Sequence, residues 1–230
     1  MDRIFIEYGL ILLGLVISLA ASWYVHSQHS KKKKMSTMNG KTGVEIARTI
    51  LDKNGLFDVQ VLKTGGVLSD HYDPSKKTVN LSQDIYHGSS IASVSVAAHE
   101  VGHAIQDKED DMFLRFRHAL VPFASFSSYA GYIAIFIGLI ASSMQIFWIG
   151  IILLLAMLLF ELVTLPVEFG ASNRALKELD ESYLVQPDEL KECKSMLTAA
   201  ALTYVASAVT TLLEILRLIL MVVGSNRSEE

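Results

Sequence analysis

The sequence predicts a mainly α-helical integral membrane protein, in which four transmembrane helices are joined to a small water-facing α+β unit. Of its 230 residues, 51% are hydrophobic and only 19% are charged, whereas ordinary soluble domains contain about 25% charged residues. Four apolar stretches also reach the roughly 20 residues that one helical crossing of a bilayer requires. A net charge of −4 argues against a nucleic-acid partner, and a single cysteine, Cys193, argues against a disulfide scaffold.

The first span is expected at residues 8–25, within an anchor segment of residues 1–25. A cleaved signal peptide carries its basic residues before the apolar run. In this chain the four consecutive lysines at 31–34 follow the apolar run. We therefore expect a retained anchor.

The next two spans are expected within residues 121–166. No aspartate, glutamate, lysine or arginine occurs between Arg117 and Glu161, a length about twice what one crossing needs. The polar residues 141–145 form the expected turn, which gives spans near 123–141 and 146–165. A fourth span at 198–223 precedes a tail of residues 224–230 and contains Glu214 and Arg217, whose i,i+3 spacing allows them to pair.

The distribution of basic residues predicts the orientation of the spans. Arg3 and Arg227 lie on one side, and the turn at 141–145 has no basic residue. The other side carries most of the basic residues near the span ends: Lys31 to Lys34, Lys41, Lys108, Arg115, Arg117, Arg174, Lys177, Lys191 and Lys194. By the positive-inside rule, residues 26–120 and 167–197 face the cytoplasm and both termini lie outside.

Residues 26–120 are expected to form the α+β region. Apolar periodicity indicates a helix at 43–54 that stops at Gly55, and alternation indicates strands at 57–62 and 78–81. The polar segment 69–74 is expected to be a loop. Ser89 and Ser90 can cap a helix over residues 91–107.

This last helix carries the H-E-x-x-H motif His99-Glu100-Val101-Gly102-His103. Histidines at i and i+4 project from one helical face, so both imidazoles can bind one Zn²⁺. Zinc lowers the pKa of its bound water towards 7, Glu100 takes the proton, and the resulting hydroxide attacks a peptide carbonyl. The motif therefore predicts a zinc-dependent peptidase with Glu100 as its catalytic base.

The alternative hypothesis is a zinc-binding membrane scaffold or metal-handling protein without hydrolytic activity. Glu100 argues against it, because neither a structural site nor a transport site requires this carboxylate. A structural zinc site also normally has four protein ligands, and the lone cysteine lies in a different segment.

Longer stretches around the motif resemble a known family. The run SDHYDPSKKTVNLSQDIYHGSSIASVSVAAHEVGHAIQ and the later LPVEFGASNRAL are similar to the bacterial membrane-bound neutral zinc metallopeptidases of the YugP type. The resemblance covers essentially the whole chain and implies a multi-pass protein of the bacterial cell membrane with a zincin-like, gluzincin-type catalytic unit and one Zn²⁺ per chain. More distant relatives are the membrane metallopeptidases resembling HtpX and the CAAX prenyl-protein proteases.

In this family and its relatives a glutamate on a later helix is the third zinc ligand, which the resemblance places at Glu168. The relatives have an aspartate where this chain has Ser172. The candidates to hold an imidazole N–H are therefore Ser172, Asn173, Asp70 and Asp73. Glu161 is the alternative third ligand, because it lies seven residues earlier on the same helical face, but it precedes Pro166 and is expected at membrane depth.

Two further features predict roles in substrate handling. His71 and Tyr72 can stabilise a tetrahedral oxyanion as hydrogen-bond donors, although aspartate and proline in this segment equally indicate a turn. The strand formed by Thr78, Val79, Asn80 and Leu81 is a candidate edge for binding an extended substrate by strand addition. The expected partners are the lipid bilayer and protein or peptide substrates at the inner membrane surface.

Overall fold

The computed structural model describes residues 2–226, and it confirms a mainly helical chain with a small sheet. Arg227 and the rest of the predicted tail from 227 to 230 lie outside the described residues. Along the chain the elements are α1 (Asp2–Lys33), α2 (Gly43–Lys53), β1 (Gln60–Thr64), β2 (His71–Asp73), β3 (Thr78–Ser82), α3 (Gln83–His87), α4 (Ile91–Lys108), α5 (Met112–Ile140), α6 (Met144–Glu181) and α7 (Pro187–Asn226).

Helices α1, α5, α6 and α7 are long and apolar enough to cross a membrane, as the sequence predicts. All four extend beyond the predicted spans. The turn between α5 and α6 occupies only residues 141–143. Pro166 lies inside α6, so this helix does not stop at 165 but continues to Glu181. Proline removes one helical hydrogen bond, and the fully buried Val167 and Ala171 hold the turns that follow it.

The chain divides into two compact units. Among the described residues, the first unit contains 2–22, 116–165 and 203–226, and the second contains 23–115 and 166–202. In the first unit, α6 and α7 share an apolar core that includes Phe147, Ile151 and Ile215. Glu214 and Arg217 form the ion pair that their spacing predicts, at 2.5 Å between Oε1 and Nη2.

The second unit is built around α4, with α2 and β3 packed into the same core. Ile46 and Ile50 of α2, Leu81 of β3 and Val101 of α4 are buried there. Helix α2 begins with a reciprocal cap between Thr42 and Glu45, and Gly55 follows its end at a φ of +68°. Glycine adopts this left-handed conformation without steric cost, which confirms the predicted stop.

The three strands form one sheet in the order β1-β3-β2. Strand β3 pairs parallel with β1, from Gln60 opposite Thr78 to Thr64 opposite Ser82, and antiparallel with β2. The prediction that residues 78–81 form an edge strand is therefore wrong, because β3 is the central strand: residues 78–80 pair with both β1 and β2, and Leu81 pairs with β1. The free edges of this sheet belong to β1 and β2.

Two local predictions also differ from the structure. The polar segment 69–74 was expected to be a loop, but His71–Asp73 is a strand, since its main chain pairs with β3 through a tight hairpin. Strand β1 begins at Gln60 rather than at residue 57 because the pairing with β3 sets its start. The side chain of Phe57 is 75% exposed and lies outside the sheet.

Candidate metal centre

Helix α4 holds His99 and His103 on one face, one turn apart. The helix begins where the Ser90 hydroxyl accepts a hydrogen bond from the Ser93 amide, and most of its length is buried. The two imidazole rings meet edge to face, with centroids 4.8 Å apart. The i,i+4 spacing therefore brings the two rings together as the sequence predicts.

Glu168 on α6 completes a group of three candidate ligands. Its Oε2 atom lies 3.3 Å from His99 Nε2 and 3.7 Å from His103 Nε2. The close approach of α6 to α4 depends on Gly102, because an added Cβ there would lie only 2.4 Å from the Ala171 carbonyl oxygen. The glycine inside the motif thus allows the helix that carries Glu168 to reach the histidines.

The donor set and its geometry fit a zinc ion. One ligand atom from each of His99, His103 and Glu168 can be chosen so that all three lie within 4.8 Å of one another. Tetrahedral zinc with bonds of about 2.0–2.1 Å places its ligand atoms roughly 3.3–3.4 Å apart, close to the two separations from Glu168. Two imidazoles and one carboxylate are also the protein ligands of a catalytic zinc site with an open fourth position.

The remaining ring nitrogens of both histidines have polar partners. His99 Nδ1 lies 3.2 Å from the Ser172 hydroxyl oxygen, and His103 Nδ1 lies 2.9 Å from Gln106 Oε1. In the tautomer that leaves Nε2 available to a metal, each Nδ1–H donates to its partner. Such partners fix the orientation and the tautomer of both imidazole rings, because they bind the ring nitrogen opposite Nε2.

Gln106 is the residue that sequence reasoning missed. It is fully buried, and its amide Nε2 donates to the Val167 carbonyl at 3.0 Å while its Oε1 accepts from His103. It therefore ties the helix of the histidines to the residue before Glu168. The sequence contains a signal for this contact, because a glutamine three residues after His103 lies on the same helical face as that histidine.

Glu100 lies beside these ligands and is 7% exposed. Burial raises the pKa of its carboxyl group, and the neighbouring histidines only partly oppose this effect. For His99, burial would lower the pKa, but the hydrogen bond to Glu168 and the charge of Glu100 outweigh it and raise the pKa. Protons therefore compete with a metal for this site as the pH falls.

The other predicted candidates for holding an imidazole have different partners. Asp70 accepts hydrogen bonds from the backbone and the hydroxyl of Ser82. Asp73 accepts from the backbone amides of the hairpin turn at Ser75 and Lys76, and Asn173 is exposed. Of the four, only Ser172 contacts a histidine of the motif among the described residues.

The two predicted oxyanion donors also have partners of their own. His71 is exposed, and its Nδ1 lies 2.8 Å from the Ser69 carbonyl oxygen. The Tyr72 hydroxyl donates to Asp107 Oδ2 at 2.8 Å. Glu161, the alternative third ligand, belongs to the first unit, where its Oε1 accepts from the Ser207 hydroxyl at 2.6 Å.

Comparisons with known proteins agree with this geometry. Residues 7–223 match a family model described as "Putative neutral zinc metallopeptidase". The chain is also 42% identical over 212 residues to a protein of Bacillus subtilis (strain 168) described as "Putative membrane protease YugP", covering 92% of this chain and 94% of that relative. No solved structure matches the chain.

Proposed function

We propose that this chain, which belongs to the family of neutral zinc metallopeptidases, is a membrane-embedded zinc endopeptidase. Its substrates would be membrane-associated proteins or peptides. The observation that carries the proposal is the convergence of His99, His103 and Glu168, with Glu100 next to the first histidine on the same buried helix.

In this proposal His99, His103 and Glu168 would hold one zinc ion per chain. A zinc ion so held supplies Lewis acidity that polarises a carbonyl and makes a water molecule acidic near neutral pH. Ser172 and Gln106 hold the two imidazoles in the orientation and tautomer that this binding requires.

Glu100 carries the proton in the proposed reaction. Its carboxylate accepts a proton from the attacking water while a C–O bond forms at the peptide carbonyl carbon. It then donates that proton to the amide nitrogen as the C–N bond breaks, which gives a carboxylic acid and an amine. Burial raises the pKa of Glu100, and a higher pKa makes its carboxylate a stronger base for the first step.

The proposed setting is the inner surface of a bacterial membrane, with a gluzincin-type unit facing the cytoplasm. The asymmetry of lysines and arginines supports this orientation. Glu168 belongs to α6, the same helix that contains the third predicted span. A ligand carried by a membrane helix favours substrates that are themselves presented at the membrane, as in the processing or quality control of membrane proteins.

Cysteine labelling tests the orientation. In a Cys193→Ala background, Met38→Cys introduces a thiol at a side chain that is 82% exposed, and Ser225→Cys introduces one near the end of α7. An impermeant thiol reagent added to intact cells is expected to label the second and not the first, because the positive-inside rule places residues 26–120 in the cytoplasm and the end of α7 outside. Permeabilised cells should label both, and the reverse pattern in intact cells would place the proposed site outside.

Metal removal tests the function. The purified full-length protein in lipid nanodiscs is expected to contain about one zinc per chain and to cleave a model membrane protein. A strong chelator should remove both the zinc and the activity, and added zinc should restore both. A preparation that retains stoichiometric zinc but hydrolyses no substrate would favour the non-hydrolytic scaffold.

A further inference from the structure

A cavity of about 380 Å³ lies beside the second half of α4, within the second unit. Its walls include Ala104 and Asp107 of α4, Tyr72 of β2, and the apolar side chains Leu56 and Val59. This volume is within the range of about 300–1,000 Å³ that is usual for ligand pockets. None of the roles proposed above for the motif residues involves this cavity.

The helical position of Asp107 relates the cavity to Glu100. Seven residues of α-helix turn through about 700°, which is about 20° short of two full turns, and rise about 10 Å. Asp107 therefore lies on the same face of α4 as Glu100, and Ala104 lies between them along the helix. An extended peptide advances roughly 3.3 Å per residue, so it spans the distance from Glu100 to Asp107 in about three residues.

Five charged residues line the cavity, and all except Asp107 have a partner other than Tyr72; Asp110 pairs with Arg115 at 3.4 Å. Asp58 pairs with Lys77 at 2.9 Å, and Lys108 donates to the Asn54 carbonyl. Asp107 accepts the Tyr72 hydroxyl at 2.8 Å, and within the part of the chain that the structure describes it forms no ion pair. Burial and the neighbouring Asp107 raise the pKa of Tyr72. The phenol therefore stays protonated and donates a hydrogen bond to the carboxylate.

We propose that this cavity is a specificity subsite that takes a lysine or arginine side chain of the peptide substrate, about three residues from the bond that is cleaved. The proposal rests on the proposed peptidase function and names the class of substrate. Leu56 and Val59 contact the aliphatic stem of the bound lysine or arginine, because such stems pack against apolar surfaces. Asp107 binds the cationic end, and the Tyr72 ring adds attraction for a cation placed over it.

Internally quenched peptides test the subsite. The probes are decapeptide mixtures in which one position at a time is lysine, arginine, norleucine or glutamate, and mass spectrometry of the products locates the cleaved bond. The zinc-loaded wild type is expected to show a kcat/KM at least roughly tenfold higher for lysine or arginine than for norleucine at one position, because a charge-assisted hydrogen bond is lost with norleucine.

Two variants separate recognition from structure. Asp107→Asn should reduce the lysine-to-norleucine ratio to near one, whereas Tyr72→Phe, which keeps the carboxylate and the ring, should preserve a clear preference for lysine. Asp188→Asn is the matched control, since Asp188 is an exposed carboxylate paired with Lys191, and it should leave the ratio unchanged. If Asp107 has only a structural role, Asp107→Asn will lower kcat/KM for all peptides by the same factor.

The outcomes for the subsite and for the peptidase are distinguishable. Zinc-dependent cleavage by the wild type with no preference for a basic residue at any position would overturn the subsite and leave the peptidase standing. An unchanged ratio in Asp107→Asn would do the same. If the wild type shows no zinc-dependent cleavage of any mixture, both proposals are wrong. Should Asp107→Asn fail to fold, the absence of a basic preference in the wild type would still overturn the subsite.

Discussion

Glu100→Gln is expected to abolish peptide hydrolysis while the protein keeps its zinc. The substitution preserves the size and the hydrogen-bonding capacity of a side chain that is 7% exposed, but an amide cannot accept and return the proton. General-base catalysis by a positioned side chain contributes roughly 10²- to 10⁴-fold, and we expect a loss of at least this size. The measurements are zinc content by elemental analysis and kcat/KM for an internally quenched peptide.

Glu181→Gln provides a control for this experiment, because Glu181 is a half-exposed carboxylate that pairs with lysines at the surface. Its zinc content and turnover should equal those of the wild type. His99→Ala and His103→Ala should instead lose zinc and activity together, since each removes a metal ligand. Turnover at the wild-type level in purified Glu100→Gln would disprove the proposed mechanism. Loss of zinc from this variant would indicate that Glu100 helps to bind the metal.

The part of the site on α4 is predictable because helical periodicity is a local property. The spacing of His99 and His103 fixes their common face before any tertiary contact is known. Gln106 follows the same periodicity and was nevertheless missed, because a single glutamine in a helix is usually solvated. Its role becomes visible only when the Val167 carbonyl of α6 is found beside it.

The sheet shows why other parts could not be predicted. Residues 71–73 are polar and precede a proline, so local propensity favours a loop, yet pairing with β3 makes them a strand. Whether β3 is central or at an edge depends on which strands flank it, and no local pattern contains that information. For this reason the sequence predicts an edge at Thr78 to Leu81, whereas the main chain of residues 78–80 pairs with strands on both sides.

The position of Glu168 depended on resemblance to a family, because two histidines do not specify which distant carboxylate joins them. Glu161 and Glu168 are two turns apart on one continuous helix, so periodicity places both on similar faces. The structure separates them by their neighbours. Glu168 Oε2 faces both histidine Nε2 atoms, whereas Glu161 accepts a hydrogen bond from Ser207 in the first unit.

Glu168→Ala is therefore expected to weaken zinc binding sharply and to abolish hydrolysis. Two imidazoles remain, one ligand short of the three that a catalytic zinc site typically takes from the protein. The loss of affinity should exceed the 10- to 100-fold that follows removal of an outer hydrogen-bonding partner. Competition with a chelating dye measures it independently of turnover, and the far-UV circular dichroism of the same sample reports whether the helices are retained.

Glu161→Ala is the matched control, because it removes a buried carboxylate from the same helix without touching the histidines. It should keep its zinc even if the lost Ser207 hydrogen bond lowers its thermal stability. Zinc retained by Glu168→Ala and lost by Glu161→Ala would reverse the assignment of the third ligand. Zinc lost by both would mean that the integrity of α6, rather than one carboxylate, holds the metal. Only loss confined to Glu168→Ala fits direct ligation, because the two variants share a helix and differ in which side chain faces His99 and His103.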